Sequence, residues 1–178
     1  MKPYSINGID EFYFCTDTIV GWQYVFTSPE FFEVIIQSFK HCQREKGLNV
    51  HAYVIMPNHV HSILSAAKGN LAGIVRDFKR FTSRTITDLL VEAEKKRTLH
   101  YFREVARKAE KGNSFKVWKD GSHAEAIISD DFFLQKLNYI HENPVRKGYV
   151  DRPEHWTYSS ARNYILNDQS IIQLQLLE

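Results

Sequence analysis

Apolar positions recur along this chain with two periods, and the places where the period changes mark its elements. Aromatic and β-branched residues dominate Phe12 to Phe26, which predicts a strand with a bend near Gly21. Ser28-Pro29-Glu30 then supplies a capping serine, a proline at the first helical position and an acid in the first turn. Phe31, Ile35 and Phe39 carry that helix at helical spacing to about Gly47. Leu48 to Met56 alternates as a central strand should, and Asn58 to Leu64 reads as its neighbour across Pro57-Asn58. A second helix is expected from Asn70 through Ile74, Phe78 and Phe81 to about Leu90.

The pattern then loosens. Residues 93–114 are charged and irregular, as in a helix followed by an exposed loop, with a short strand at Phe115–Trp118 and a turn at Asp120-Gly121. Ser129-Asp130-Asp131 caps another helix with Phe133, Leu137 and Ile140 inside, and Pro144 is expected to stop it, because the residue before a proline avoids the helical region. Gly148 to Val150 reads as extended, Tyr158 to Ile165 as a short helix, and Ser170 to Leu176 as a final strand. The sum is an α+β fold with helices packed on an antiparallel sheet, in one domain over residues 1–178.

Composition changes this picture little. The chain has 178 residues, 43% of them hydrophobic, which is enough for one substantial core. No apolar run reaches the length of a membrane span, and Met-Lys-Pro-Tyr-Ser-Ile-Asn-Gly lacks the apolar centre of a signal peptide. Two cysteines, Cys15 and Cys42, form no CxxC pair, so a disulfide scaffold is not expected and a cytoplasmic location is. Charge adds more. The net charge is +2, but residues 76–119 hold 13 Lys/Arg against 6 Asp/Glu, a balance of +7. Such a basic middle suits a polyanionic partner, or a plain solvated helix face.

His59 and His61 are two apart on a strand and so share a face, with Val60 turned into the core. Two adjacent imidazoles are half of a divalent-metal site, or structural histidines. In Leu137-Asn-Tyr-Ile-His-Glu-Asn-Pro-Val-Arg-Lys-Gly148, Tyr139 and Asn143 are four apart and lie on one helix face. His141 and Glu142 project roughly 200° and 300° around from Tyr139 at 3.6 residues per turn. Asn143 is therefore the better third ligand and Glu142 the fallback.

Pro-Asn-His-Val-His resembles the histidine–hydrophobe–histidine motif of single-tyrosine HUH transposases. Tyr-Ile-His-Glu-Asn-Pro-Val-Arg-Lys-Gly, followed by Trp156-Thr-Tyr-Ser-Ser160, is similar to the REP-associated tyrosine transposase branch. Phe78-Lys79-Arg80-Phe81 resembles that family's basic helix and Val117 to Gly121 its aromatic turn, so the likeness runs over roughly residues 12–165. The chain departs from the pattern at Ala124-Glu125-Ala126, where relatives often carry a further histidine.

The resemblance implies a ferredoxin-like sheet with the histidines on a central strand. It also implies His59, His61 and Asn143 as ligands of Mg2+ or Mn2+, and Tyr139 as a nucleophile that cuts single-stranded DNA beside a hairpin. The tyrosine then holds the 5′ phosphate while a 3′ hydroxyl leaves, and no nucleotide cofactor is needed. Lys79, Arg80, Arg84, Arg146 and Lys147 are the expected phosphate contacts, with Tyr101 and Trp118 as base platforms, or Trp118 as a core aromatic. A replication or mobilisation nickase with the same chemistry is an alternative. A non-catalytic hairpin-binding relative and a structural metal-binding protein are others. Monomer and homodimer both remain open.

Overall fold

The computed structural model describes residues 11–109, 112, 114–121 and 123–175. The amino-terminal segment and Leu176, the end of the expected last strand, lie outside them. Four strands form one antiparallel sheet: β1 (Phe12–Thr18), β2 (Leu48–Met56), β3 (His59–Ala66) and β4 (His123–Ile127). Their order is β2-β3-β1-β4. With α1 (Pro29–Lys46) after β1, and α2 (Leu71–Glu92) and α3 (Lys96–Lys108) between β3 and β4, this is the ferredoxin-like arrangement. α4 (Asp130–Arg146) and α5 (Ala161–Leu166) follow.

Helices on both faces give the sheet two cores. Val50, Tyr53, Ile55, Val60 and Leu64 pack with Ile35, Phe39, Phe78 and Ile86 of α1 and α2. Phe12, Phe14, Val54, Met56 and Ile63 pack on the other side with Phe133, Leu137 and Ile140 of α4. Every residue of β3 is buried. Leu48 and Val50 share a core with Tyr53 and Ile55 because a register shift between Val50 and Ala52 makes His51 an extra residue in the ladder. Uninterrupted alternation would have sent them to opposite faces.

Several expectations need correcting. The first strand ends at Thr18, and Val20–Trp22 forms a 3-10 turn. β2 lies at an edge of the sheet, and β3 and β1 are the interior strands. The edge of β2 is covered by the Trp156–Ser160 segment, with Ile55 N–H donating to the Tyr158 carbonyl and Ser160 N–H to that of Tyr53. Trp118 makes only an isolated bridge with Ile19, and the fourth strand lies further on, at His123–Ile127. The tail is coil over the described residues, with Gln175 N–H bonded to the Val50 carbonyl.

Caps hold two of the helices as expected: Asn70 accepts from Gly73 N–H and Ser129 from Phe132 N–H. Ser28 occupies the cap position, but its hydroxyl bonds Glu30 instead of the backbone. Pro144 sits inside α4 and does not stop it. It removes one N–H, while Lys147 N–H still reaches the Asn143 carbonyl and Tyr149 N–H that of Pro144. The helix closes at Gly148, whose φ is 72°. That extra length carries Arg146 and Lys147 past the tyrosine.

Candidate active site

Burial of Phe133, Leu137 and Ile140 fixes the rotation of α4 on the sheet, contributing roughly 5–9 kcal/mol before entropy. The adjacent stripe of that helix, Lys136, Tyr139, Asn143 and Arg146–Lys147, then lies over the β1–β3 ladder. Tyr139 meets the histidine pair there: its ring is 5.1 Å from that of His61, and His61 is 4.6 Å from His59, centroid to centroid. Phe14 on β1 supports both, stacked on His61 at 5.4 Å and edge-on to Tyr139 at 5.9 Å.

The two imidazoles are oriented from behind. Asn58 Oδ1 accepts from His59 Nδ1–H at 2.7 Å, and the Thr16 hydroxyl holds Nδ1 of His61 at 2.9 Å. Each histidine keeps Nε2 for a further ligand, the arrangement metal-binding imidazoles require. Burial pushes His59 down to about 4, with help from Lys147. Burial also takes His61 to about 3, helped by His59, Lys136 and Arg146. Both rings are therefore neutral, as ligands must be, inside a cationic rim that suits a phosphate.

Among the described residues no group of three His, Cys, Asp or Glu side chains could hold a metal ion. A third protein donor beside the two histidines would be of another kind. Asn143 is 3% exposed, and its Oδ1 is buried with no hydrogen-bond partner among the described residues. An orphaned amide oxygen between Tyr139 and Lys147 on the helix face fits a hard cation better than it fits a core. Glu142, the alternative ligand, is exposed, a hundred degrees or so around the helix from Asn143. His141 is buried, bonded through Nε2 to Ser160 Oγ at 2.9 Å, and helps tie α4 to the covered edge of β2.

The expected DNA contacts separate into two places. Arg146 lies over the Tyr139 ring, 4.6 Å from its centre, and the charge of Lys147 acts on His59. Lys79, Arg80 and Arg84 instead line a groove of about 1460 Å³ against Tyr13, Cys15 and Ala124. Those side chains occupy the sheet face opposite the histidines. Within the groove Lys79 is paired with buried Asp17 at 3.2 Å, whereas Arg80 and Arg84 are exposed. Trp118, expected as a base platform, is 5% exposed, with Phe26 and Lys79 beside its ring and Nε1–H donated to Thr82. A base has no face of it to stack on. Tyr101 lies against Gly21, where an added Cβ would stand 2.1 Å from its hydroxyl oxygen.

Sequence reasoning missed Thr16, Phe14 and Asn58. Asn58 was available as the residue preceding the first histidine, but Thr16 and Phe14 are brought in only by the β1–β3 register, in which Thr16 faces His61. His123 stands one position before Ala124-Glu125-Ala126. It faces Thr16 from β4, placing a further histidine in the same row roughly 10 Å from His61.

Two oriented histidines thus meet a helix-borne tyrosine on one face of the sheet, with the buried Asn143 amide one turn further along the same helix. A profile of the family described as "Transposase IS200 like" matches residues 23–141, a stretch that includes His59, His61 and Tyr139. The chain belongs to the IS200-like transposase family. Among solved structures, a REP-associated tyrosine transposase bound to a REP hairpin matches with a TM-score of 0.64 at 15% identity. The alignment covers 100% of this chain and 98% of that one. No curated protein matches.

Proposed function

We propose that this protein is a metal-dependent single-stranded DNA endonuclease and strand transferase that cuts beside hairpins. The observation that carries the reading is the Tyr139 ring 5.1 Å from His61 within one chain, which supports a site completed in cis. His59 Nε2, His61 Nε2 and Asn143 Oδ1 would hold Mg2+ or Mn2+, with Mn2+ better suited to imidazole. When bound, such an ion neutralises charge on the phosphate oxygens. Tyr139 attacks the phosphorus: its O–P bond forms as the P–O3′ bond breaks. The phenolic proton passes to solvent, and the departing oxygen takes up a proton to become a 3′ hydroxyl. The 5′ phosphate stays on Tyr139, so rejoining needs no nucleotide cofactor. Lys136, Arg146 and Lys147 draw the backbone in, and Phe14 keeps the phenol ring facing it.

Arg80 and Arg84 on the opposite face would follow hairpin phosphates without reading sequence. The solved structural neighbour is itself bound to a REP hairpin, which supports a hairpin partner here. A cytoplasmic location belongs to the same reading; among the described residues no helix is long and apolar enough to cross a membrane. The test is incubation with labelled hairpin oligonucleotides and Mg2+ or Mn2+, followed by a denaturing gel. A covalent adduct that disappears in Tyr139→Phe is expected. No adduct across varied sequences, or one that survives the substitution, overturns the reading.

A further inference from the structure

Trp22 occupies an unusual place beside this site. After β1 the chain turns through Val20–Trp22 with Gly21 at φ 63° and Trp22 at φ 54°, both left-handed. That is an uncommon conformation for a bulky residue, and such outliers gather at functional sites. The turn is held from several sides. Ile19 N–H donates to the Asn58 carbonyl, Val20 N–H to Val117 and Trp22 N–H to Ile19. Asn58 joins turn and site in one side chain: Oδ1 orients His59, and Nδ2 donates to the Trp22 carbonyl at 3.4 Å.

The turn delivers a tryptophan that is 54% exposed, with its ring 5.9 Å from that of His59. Lys119 Nζ lies 5.7 Å from the centre of the same ring. Tyr24 and Tyr149 are exposed as well, and Tyr149 follows Lys147 by two residues. Core packing explains none of this exposure. A π face beside a cation and a phosphate-binding site is what an unstacked base needs.

The geometry points to Trp22 as the stacking platform for the base of the nucleotide whose 3′ oxygen leaves. The inference rests on the cleavage reading above. Tyr139 stands near Phe14, which faces Ile63, while Trp22 follows Thr18, which faces His59. The two rings thus bracket the histidine pair from opposite ends. In-line attack requires the leaving oxygen on the side of phosphorus away from the nucleophile. Away from Tyr139 along this row lie His59 and then Trp22, so the nucleotide on the 5′ side of the break is directed there. Stacking on one ring changes binding on the order of 10- to 100-fold.

The test uses fluorescein-labelled hairpin oligonucleotides whose cleavage position is first mapped with the wild-type protein and Mn2+. Trp22→Ala is expected to lower adduct formation on the order of 10- to 100-fold, and Trp22→Phe to recover most of it. An abasic site 5′ of the break should impose the same loss on the wild type, with Trp22→Ala adding nothing further. Full activity in Trp22→Ala, losses that multiply, or a dependence on the 3′ nucleotide instead overturns the inference while cleavage itself stands. If the wild type forms no adduct, the cleavage reading and the assignment to the departing nucleotide fail together, and anisotropy with the same oligonucleotides decides only whether Trp22 stacks on DNA. Weaker binding by Trp22→Ala supports stacking, and unchanged binding overturns it.

Discussion

Replacing Asn143 by leucine should move stability in opposite directions with and without metal. Asn143 Oδ1 is buried and unpartnered, and an uncompensated acceptor of this kind costs about 1–3 kcal/mol. Leucine has the same four-atom branched shape and suits a helix interior, but its methyls are bulkier than the amide, so relief of the orphaned acceptor less the overpacking should stabilise metal-free Asn143→Leu by roughly 1–2 kcal/mol. In a chain of this size that raises the melting temperature by about 2–8 °C. In the wild type, Mn2+ at 100 times its dissociation constant should add about 2.7 kcal/mol, or roughly 5–11 °C. The variant should lose most of that gain, so the two proteins exchange rank. Circular dichroism melts in EDTA and across a MnCl2 titration measure both effects. If Asn143→Leu melts lower than wild type in EDTA yet keeps the full Mn2+ shift, the amide oxygen is ordinary packing and the third-ligand assignment fails.

Other outcomes follow from the same structure. Burial holds His59 to about 4, His61 to about 3 and His141 to about 4, against roughly 6.5 in an unfolded chain. The unfolded state therefore takes up protons first: stability of the metal-free protein is fully present above pH 6.5 and falls as pH drops toward 4. The slope should approach about 1.4 kcal/mol per pH unit for each histidine, and a urea midpoint that stays flat from pH 7 to 5 refutes this. Lys79→Met removes the ion pair to buried Asp17 and should cost roughly 3 kcal/mol of stability, measured by urea unfolding. Exposed Arg84→Ala should stay within about 0.5 kcal/mol of wild type while lowering the log–log salt slope of hairpin binding by about 0.9. Gly21→Ala forces a Cβ against Tyr101 at φ +63° and should lose roughly 1–3 kcal/mol in thermal melts; a neutral result would show that the turn relaxes freely.

Periodicity and capping residues were enough to locate α1, α2 and α4, because an amphipathic stripe and its cap are written within a few consecutive residues. The same local logic put His59 and His61 on one face of a strand, and Tyr139 and Asn143 on one face of a helix. It failed where the deciding partner is distant. β4 carries one large apolar residue, Ile127, and exists because β1 offers it an edge, with Phe12 facing Ile127. Pro144 is tolerated within α4 because the bonds after it survive.

The division of the basic middle follows the same rule. Lys79 reads as surface chemistry in the sequence, yet Asp17 draws it inward, and of the two readings open to Trp118, core aromatic and base platform, its bond to Thr82 and its burial favour the core. Trp22, one residue after a glycine, carried no signal at all. Residue types and spacing determined which groups could act together. Only the strand register, which sets Thr16 beside His61, and the rotation of α4, fixed by Phe133 and Ile140, decided that histidines and tyrosine meet. Those depend on packing between segments far apart in sequence, and no local pattern encodes it.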